Sequence, residues 1–232
     1  MATRFYLPAS AASTPITPTP DAAWENTSIL ARAMTSTSPI SDAMTTVSFA
    51  EGTNTANQDI LFRQHVSAEL SAGQTITGSQ ALKAQVRVAQ TNDNNNLVLA
   101  VGIRVLNGTT VQKTVLAVTR DALEANLSTL ENRQFTATSA ATDYTTVAGD
   151  RLVIETGMGG TPFGVADHDS SMRFGDAAAS DLPENNTATT DDNPWVELTD
   201  TLTFGGSFDP ALSAALTPFS VPVLPAAAML PY

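Results

Sequence analysis

The dipeptide Asn107-Gly108 stands between two apolar runs, residues 97–106 and 111–119. Asparagine and glycine both accept the positive φ angles of a tight primed turn, so the arrangement predicts an antiparallel β-hairpin. Its first arm, LVLAVGIRVL, is almost continuously apolar, as in a strand covered on both faces.

Other segments carry the same signature. Along residues 81–89, Leu82, Ala84, Val86 and Val88 face one way, and Lys83, Gln85 and Arg87 the other. This period of two marks a half-buried antiparallel strand whose basic side chains meet solvent or a partner. Strands are also expected at 29–35, 45–49, 60–70, 134–137, 151–156, 172–174 and 195–204, where Asp200 interrupts the apolar side. Residues 157–171 and 176–194 read as long loops. One helix of about two turns is expected from Asp121, because Glu124 completes a capping-box spacing and Leu123, Leu127 and Leu130 share a face. Charged residues make up only 15%, and Thr, Ser, Asn, Ala and Gly take their place. Such a chain is read as all-β, an antiparallel two-sheet β-sandwich of jelly-roll type with one short helix.

Prolines divide the chain. Pro8, Pro15, Pro18 and Pro20 forbid a regular helix and a central strand over residues 1–25, which read as an extended arm. The sandwich is expected over 26–204. Residues 205–232 form a second arm with one acid, Asp209, no base, and prolines at 210, 218, 222, 225 and 231. An apolar segment that cannot cover itself needs a surface to lie on. Phe5, Tyr6 and Leu7 of the first arm, and Phe208, Leu212, Leu216, Phe219, Val223, Leu224, Leu230 and Tyr232 of the second, are therefore the expected partner-binding residues.

Net charge is −12, and twelve of the 23 acids fall between Asp143 and Asp200, opposed there by Arg151 and Arg173 alone. That field repels phosphate backbones and anionic membranes, so neither nucleic acid nor membrane is an expected partner. No run approaches the roughly 20 apolar residues of a membrane span. The opening MATRFYLPASAAS lacks the basic and apolar regions of a signal peptide. With no cysteine, disulfides and thiolate chemistry are excluded.

Motifs of catalysis are scarce. Gly157-Met158-Gly159 starts like a dinucleotide fingerprint, but Pro162 takes the place of its third glycine. His65 lies in a candidate strand and reads as a sheet-surface or satisfied core residue. His168, between Asp167 and Asp169, reads as part of a polar loop. No cofactor is expected. The oxygen-rich stretch 181–193 is the one place where calcium is considered, through Asp181, Glu184, Asn185, Asn186, Asp191, Asp192 and Asn193, without EF-hand spacing. The chain is expected not to be an enzyme.

Four stretches carry a family resemblance: MATRFYLP at 1–8 with Trp24-Glu25 after it, GDRLVIETG at 149–157, MRFGD at 172–176, and DLPENNT followed by NPWVELTDTLTF within 181–204. Together they resemble a group of tailed-bacteriophage virion structural proteins. The resemblance implies a jelly-roll sandwich carried on the particle and transfers no catalytic residues. The expected role is capsid decoration or cement, with arms lacing onto neighbouring subunits, the major capsid protein first among them. Copies are expected to self-associate, as trimers, on virions assembled in the host bacterial cytoplasm. The alternative is a tail, neck or fibre component whose sandwich binds glycan, with Trp24, Tyr144 or Trp195 as the stacking platform.

Overall fold

A computed structural model describes residues 2–9, 14–25, 31–34, 45–50, 58–90, 97–125, 129–160, 169–176, 180–186 and 192–205. Within them the chain forms thirteen strands. They are β1 (Thr3–Tyr6), β2 (Ala31–Ala33), β3 (Thr45–Ala50), β4 (Gln58–Glu69), β5 (Thr75–Ile76), β6 (Ala81–Gln90), β7 (Val98–Asn107), β8 (Thr110–Glu124), β9 (Glu131–Thr138), β10 (Tyr144–Thr145), β11 (Asp150–Gly160), β12 (Asp169–Phe174) and β13 (Trp195–Leu198).

Two sheets face each other. The first runs β1-β13-β6-β12-β3, with β9 along the other edge of β6; the second runs β2-β4-β11-β7-β8. Every pairing is antiparallel except β2 with β4. The all-β sandwich is therefore as expected. Leu82, Ala84, Val86 and Val88 of β6 meet Leu99, Val101, Ile103 and Val105 of β7 and Leu152, Ile154 and Met158 of β11 in one core. Burying that many branched side chains is the main driving force for closure.

The predicted hairpin exists, with its turn one residue further on. Asn107 pairs with Thr110, and Gly108 with φ 59° is the first central residue of the turn. Asn107 instead uses its side-chain amide to donate to the Ala148 carbonyl at 2.8 Å and to Asp150 at 3.1 Å.

Two expectations are corrected. The segment from Asp121 is strand: Glu124 pairs with Val98, and Leu123 is exposed rather than on a buried helix face. β8 puts fifteen residues against ten of β7 through four register irregularities. The demand of apolar β7 for a neighbour along its whole length overrides the local capping signal. The first residues are no free arm either. Thr3–Tyr6 pairs with β13, and the Phe5 ring packs edge-to-face on Phe204 at 6.1 Å. Pro8 then ends the strand by removing a donor, without preventing β1 from forming at a sheet edge.

β11 continues through Gly157, Met158 and Gly159, residues expected in a loop. A Cβ at Gly157 would collide with the Ile60 carbonyl oxygen and the Trp24 ring. Gly157→Ala should lower stability by about 3 kcal/mol or prevent folding, since the obstructing atom is backbone of the paired strand. A denaturation midpoint equal to that of the unmodified protein would contradict this packing.

Candidate functional site

The outer face of the second sheet is roofed by the chain's own residues 14–25. Ile16 lies on a patch of Ala31, Val66, Leu106 and Val153, and Trp24 packs on Leu61 and Ala100. Between these patches sits a fully buried carboxylate, Glu155 of β11. It accepts hydrogen bonds from Arg104 of β7 at 2.5 Å, Gln64 of β4 at 2.8 Å, the Trp24 indole at 3.0 Å and the Asp21 amide at 3.1 Å. Arg104 also donates to the Thr19 carbonyl at 2.7 Å. A charge taken out of water needs such partners, so the roof is fixed in place by the ion pair beneath it.

Where the chain passes from the first sheet to this roof, two side chains of β4 hold it. Arg63 donates to the Ala9 carbonyl at 2.9 Å, and His65 Nε2 donates to the Pro8 carbonyl at 3.1 Å. That bond assigns the proton to Nε2, and Nδ1 has no partner among the described residues. The His65 ring, fully buried, packs against Phe174 at 5.3 Å. Burial first, and then the positive charges of Arg63 and Arg32, push its pKa down to about 3 against the pull of the Pro8 carbonyl. His65 is thus a neutral core residue that ties down the N-terminal segment.

A third assembly covers the outer face of the first sheet. The Arg4 guanidinium stacks 3.7 Å from the Trp195 ring centroid and pairs with Asp181 at 2.5 Å and Glu197 at 2.8 Å. Lys83 reaches Glu184 at 2.9 Å, and the Trp195 indole donates to the Leu182 carbonyl at 2.8 Å. Burial and the Asp181 charge push the Tyr6 phenol up to about 12. Two of the acids considered for calcium are therefore ion-paired with basic side chains. Among the described residues no cluster of three potential metal ligands occurs. Asp191 and His168 lie outside the described residues.

Of the expected partner-binding residues, the structure places Phe5 and Leu7 in the main core and Tyr6 against Leu182 and Trp195. Phe208, Leu212, Leu216, Phe219, Val223, Leu224, Leu230 and Tyr232 lie outside the described residues. The Gly205 amide, at the end of the described residues, donates to the Glu69 carbonyl at 2.9 Å. Sequence reasoning did not single out Arg104 or Glu155. The available signal was a charge set among apolar residues in each of two strands, Arg104 in LVLAVGIRVL and Glu155 after LVI in RLVIETG.

No protein-family model matches the chain, and a comparison with curated proteins gives no match. Among solved structures it is similar to an α-amino acid ester hydrolase, with 9% identity, TM-score 0.49, and 85% of this chain covering 36% of that one. An aminopeptidase from a marine sediment Thaumarchaeota archaeon matches at 7% identity and TM-score 0.46, with 88% of this chain covering 37% of that one. Infectious bursal disease virus, Gt strain, matches at 12% identity and TM-score 0.25, with 75% and 46% covered. The chain thus spans about a third of the length of the hydrolases it matches. The expectation that the chain is not an enzyme is corrected: the structures of highest similarity named here are hydrolases.

Two outcomes test the buried groups. Glu155→Ala should cost about 3 kcal/mol by removing the close partner of buried Arg104 and leaving it Asp21 at 3.8 Å, and the double change Arg104→Met, Glu155→Met should recover most of that loss. Equal losses in the single and double variants would contradict the pairing. For His65, the unfolded chain binds a proton near pH 6.5 and the folded chain only near pH 3. Stability is therefore lost as pH falls below about 6.5, by roughly 3 kcal/mol at pH 4.5, beyond the change seen in His65→Gln. Parallel pH–stability curves for the two proteins would contradict a neutral buried imidazole.

Proposed function

We propose that this chain is a structural subunit of a tailed-bacteriophage virion, most specifically a capsid decoration or cement protein that residues 206–232 fasten to neighbouring subunits. One observation carries the reading. The described sandwich is covered by its own segments on both outer faces, and the sequence at 206–232 has a single charge and five prolines. A sequence of this composition carries apolar side chains that gain by lying on a surface, and its prolines disfavour helix and central strand.

The stretches that resemble virion proteins support the same reading, because they coincide with the joints of the fold. MATRFYLP holds β1 and the Pro8 carbonyl that His65 binds. GDRLVIETG is β11 with Glu155, MRFGD closes β12, and NPWVELTD carries β13 with Trp195. The major capsid protein is the partner this reading names, and the virion the location. The glycan-binding alternative has less support: Trp24 and Trp195 are buried, and the Tyr144 hydroxyl donates to Asp150 at 2.7 Å.

Deleting residues 206–232 should leave the unfolding midpoint of the sandwich within about 1 kcal/mol of the full chain. Attachment to particles assembled without the protein should be lost, as read by co-sedimentation. A deletion variant that co-sediments as well as the full chain would overturn the proposal.

A further inference from the structure

The Asn107-Gly108 pair at the tip of the β7–β8 hairpin carries reactivity as well as turn geometry. A carboxamide followed by glycine is open to attack by the glycine's own amide nitrogen, because no Cβ shields that nitrogen. Here the approach is clear: Gly108 is exposed, and a Cβ built on it would meet nothing within 4 Å. Two features of the fold oppose the reaction. Asn107 is paired on both sides, with Asp150 of β11 and Thr110 of β8, so its main chain is held extended. Its carboxamide reaches to β11, donating to the Ala148 carbonyl at 2.8 Å and to the Asp150 carboxylate at 3.1 Å. Drawing Cγ into a ring with the Gly108 nitrogen takes Nδ2 away from both acceptors.

We propose that Asn107 is a deamidation site held in check by the fold, and that its conversion to aspartate or isoaspartate unfastens the 148–149 turn from the hairpin. The Gly108 nitrogen bonds to Asn107 Cγ, the Cγ–Nδ2 bond breaks, and Nδ2 departs as ammonia with the Gly108 amide proton. Water then opens the cyclic imide. Opening at Cγ gives aspartate; opening at the main-chain carbonyl leaves the chain running through Cγ as isoaspartate. One water is consumed and one ammonia released, with no oxidant and no cofactor. In the aspartate product an oxygen stands where Nδ2 donated, and it faces two acceptors, the Ala148 carbonyl and the Asp150 carboxylate. Asp150 is fully buried and already accepts from the Tyr144 hydroxyl at 2.7 Å and the Val147 amide at 2.8 Å. A second carboxylate beside it repels, and the two donated bonds are gone. Isoaspartate instead adds one carbon to the main chain of β7 between its pairings with β8 and β11, which displaces both ladders. The same turn fastens this end of the sandwich: the Gly149 amide donates to the Glu69 side chain at 2.7 Å, and the Leu70 amide to the Asp150 carbonyl at 2.8 Å. The loosening therefore starts at that end, and refolding does not reverse it.

The full chain kept folded at mildly alkaline pH and body temperature is compared with the same chain in denaturant, both followed by peptide mass mapping. The peptide holding Asn107 should gain the mass difference between water and ammonia in both samples. Conversion should run about ten to a thousand times more slowly in the folded chain, because ring closure there waits on local opening. Gly108→Ala, read in denaturant where folding is not at issue, should slow the reaction about tenfold by shielding the nitrogen. The variant Asn107→Asp reproduces one product directly. It should speed amide hydrogen exchange at Val147, Gly149 and Leu70 by about tenfold or more, and leave exchange at Val86 of β6 unchanged. Equal conversion rates in the folded and denatured chains would overturn the proposal. So would an Asn107 still intact in the folded chain after about a thousand denatured-state half-times, or unchanged exchange at Val147, Gly149 and Leu70 in Asn107→Asp.

Discussion

A carboxylate buried in the middle of a sheet dictates much of this architecture. Glu155 lies on the outer face of a sheet whose other face is the main core, so water has to be excluded from both sides. Its charge is tolerable only while Arg104, Gln64, Trp24 and the Asp21 amide surround it, and two of those groups come from residues 14–25. The roof, the ion pair and the glycine at 157 are therefore one device. Gly157 lets Trp24 descend onto the strand, and Trp24 completes the shell of the carboxylate. Removing any one part leaves the others either strained or unsatisfied.

Much of this was legible in the residues, for reasons that differ along the chain. The alternation of 81–88 reads directly as β6 because each apolar side chain must reach the same core. The continuous apolar run of β7 marks a strand covered twice, and the roof supplies the second cover. The turn at Gly108 follows from glycine's freedom at positive φ. Asp121 misled because a helix-cap pattern is local, whereas the fate of 110–124 is set by β7, distant in energy terms from any cap. Prolines at 8, 15, 18 and 20 misled differently. They exclude helix and central strand, as argued, but an extended path can still lie on its own sandwich when carbonyls such as Pro8, Ala9 and Thr19 find donors.

The outer surfaces tell the same story for function. The basic residues of β6 expected to meet solvent or a partner are engaged at home: Lys83 by Glu184, and buried Arg87 by the Leu130 carbonyl. Asp181 and Glu184, in the described part of the acidic loop, are thereby held by basic side chains. Among the described residues, both outer faces of the sandwich are thus covered by the chain itself.

Amide hydrogen exchange on the full chain addresses the central claim most directly, namely that residues 14–25 belong to the sandwich through Glu155 and not to a neighbour. The amides of Asp21, Trp24 and Glu25, bonded respectively to Glu155, Asp21 and Asp59, should exchange slowly in the isolated protein, with protection approaching that of β11 amides such as Val153. Exchange of those three amides at the rate of an unstructured peptide, beside a protected β11, would contradict the account.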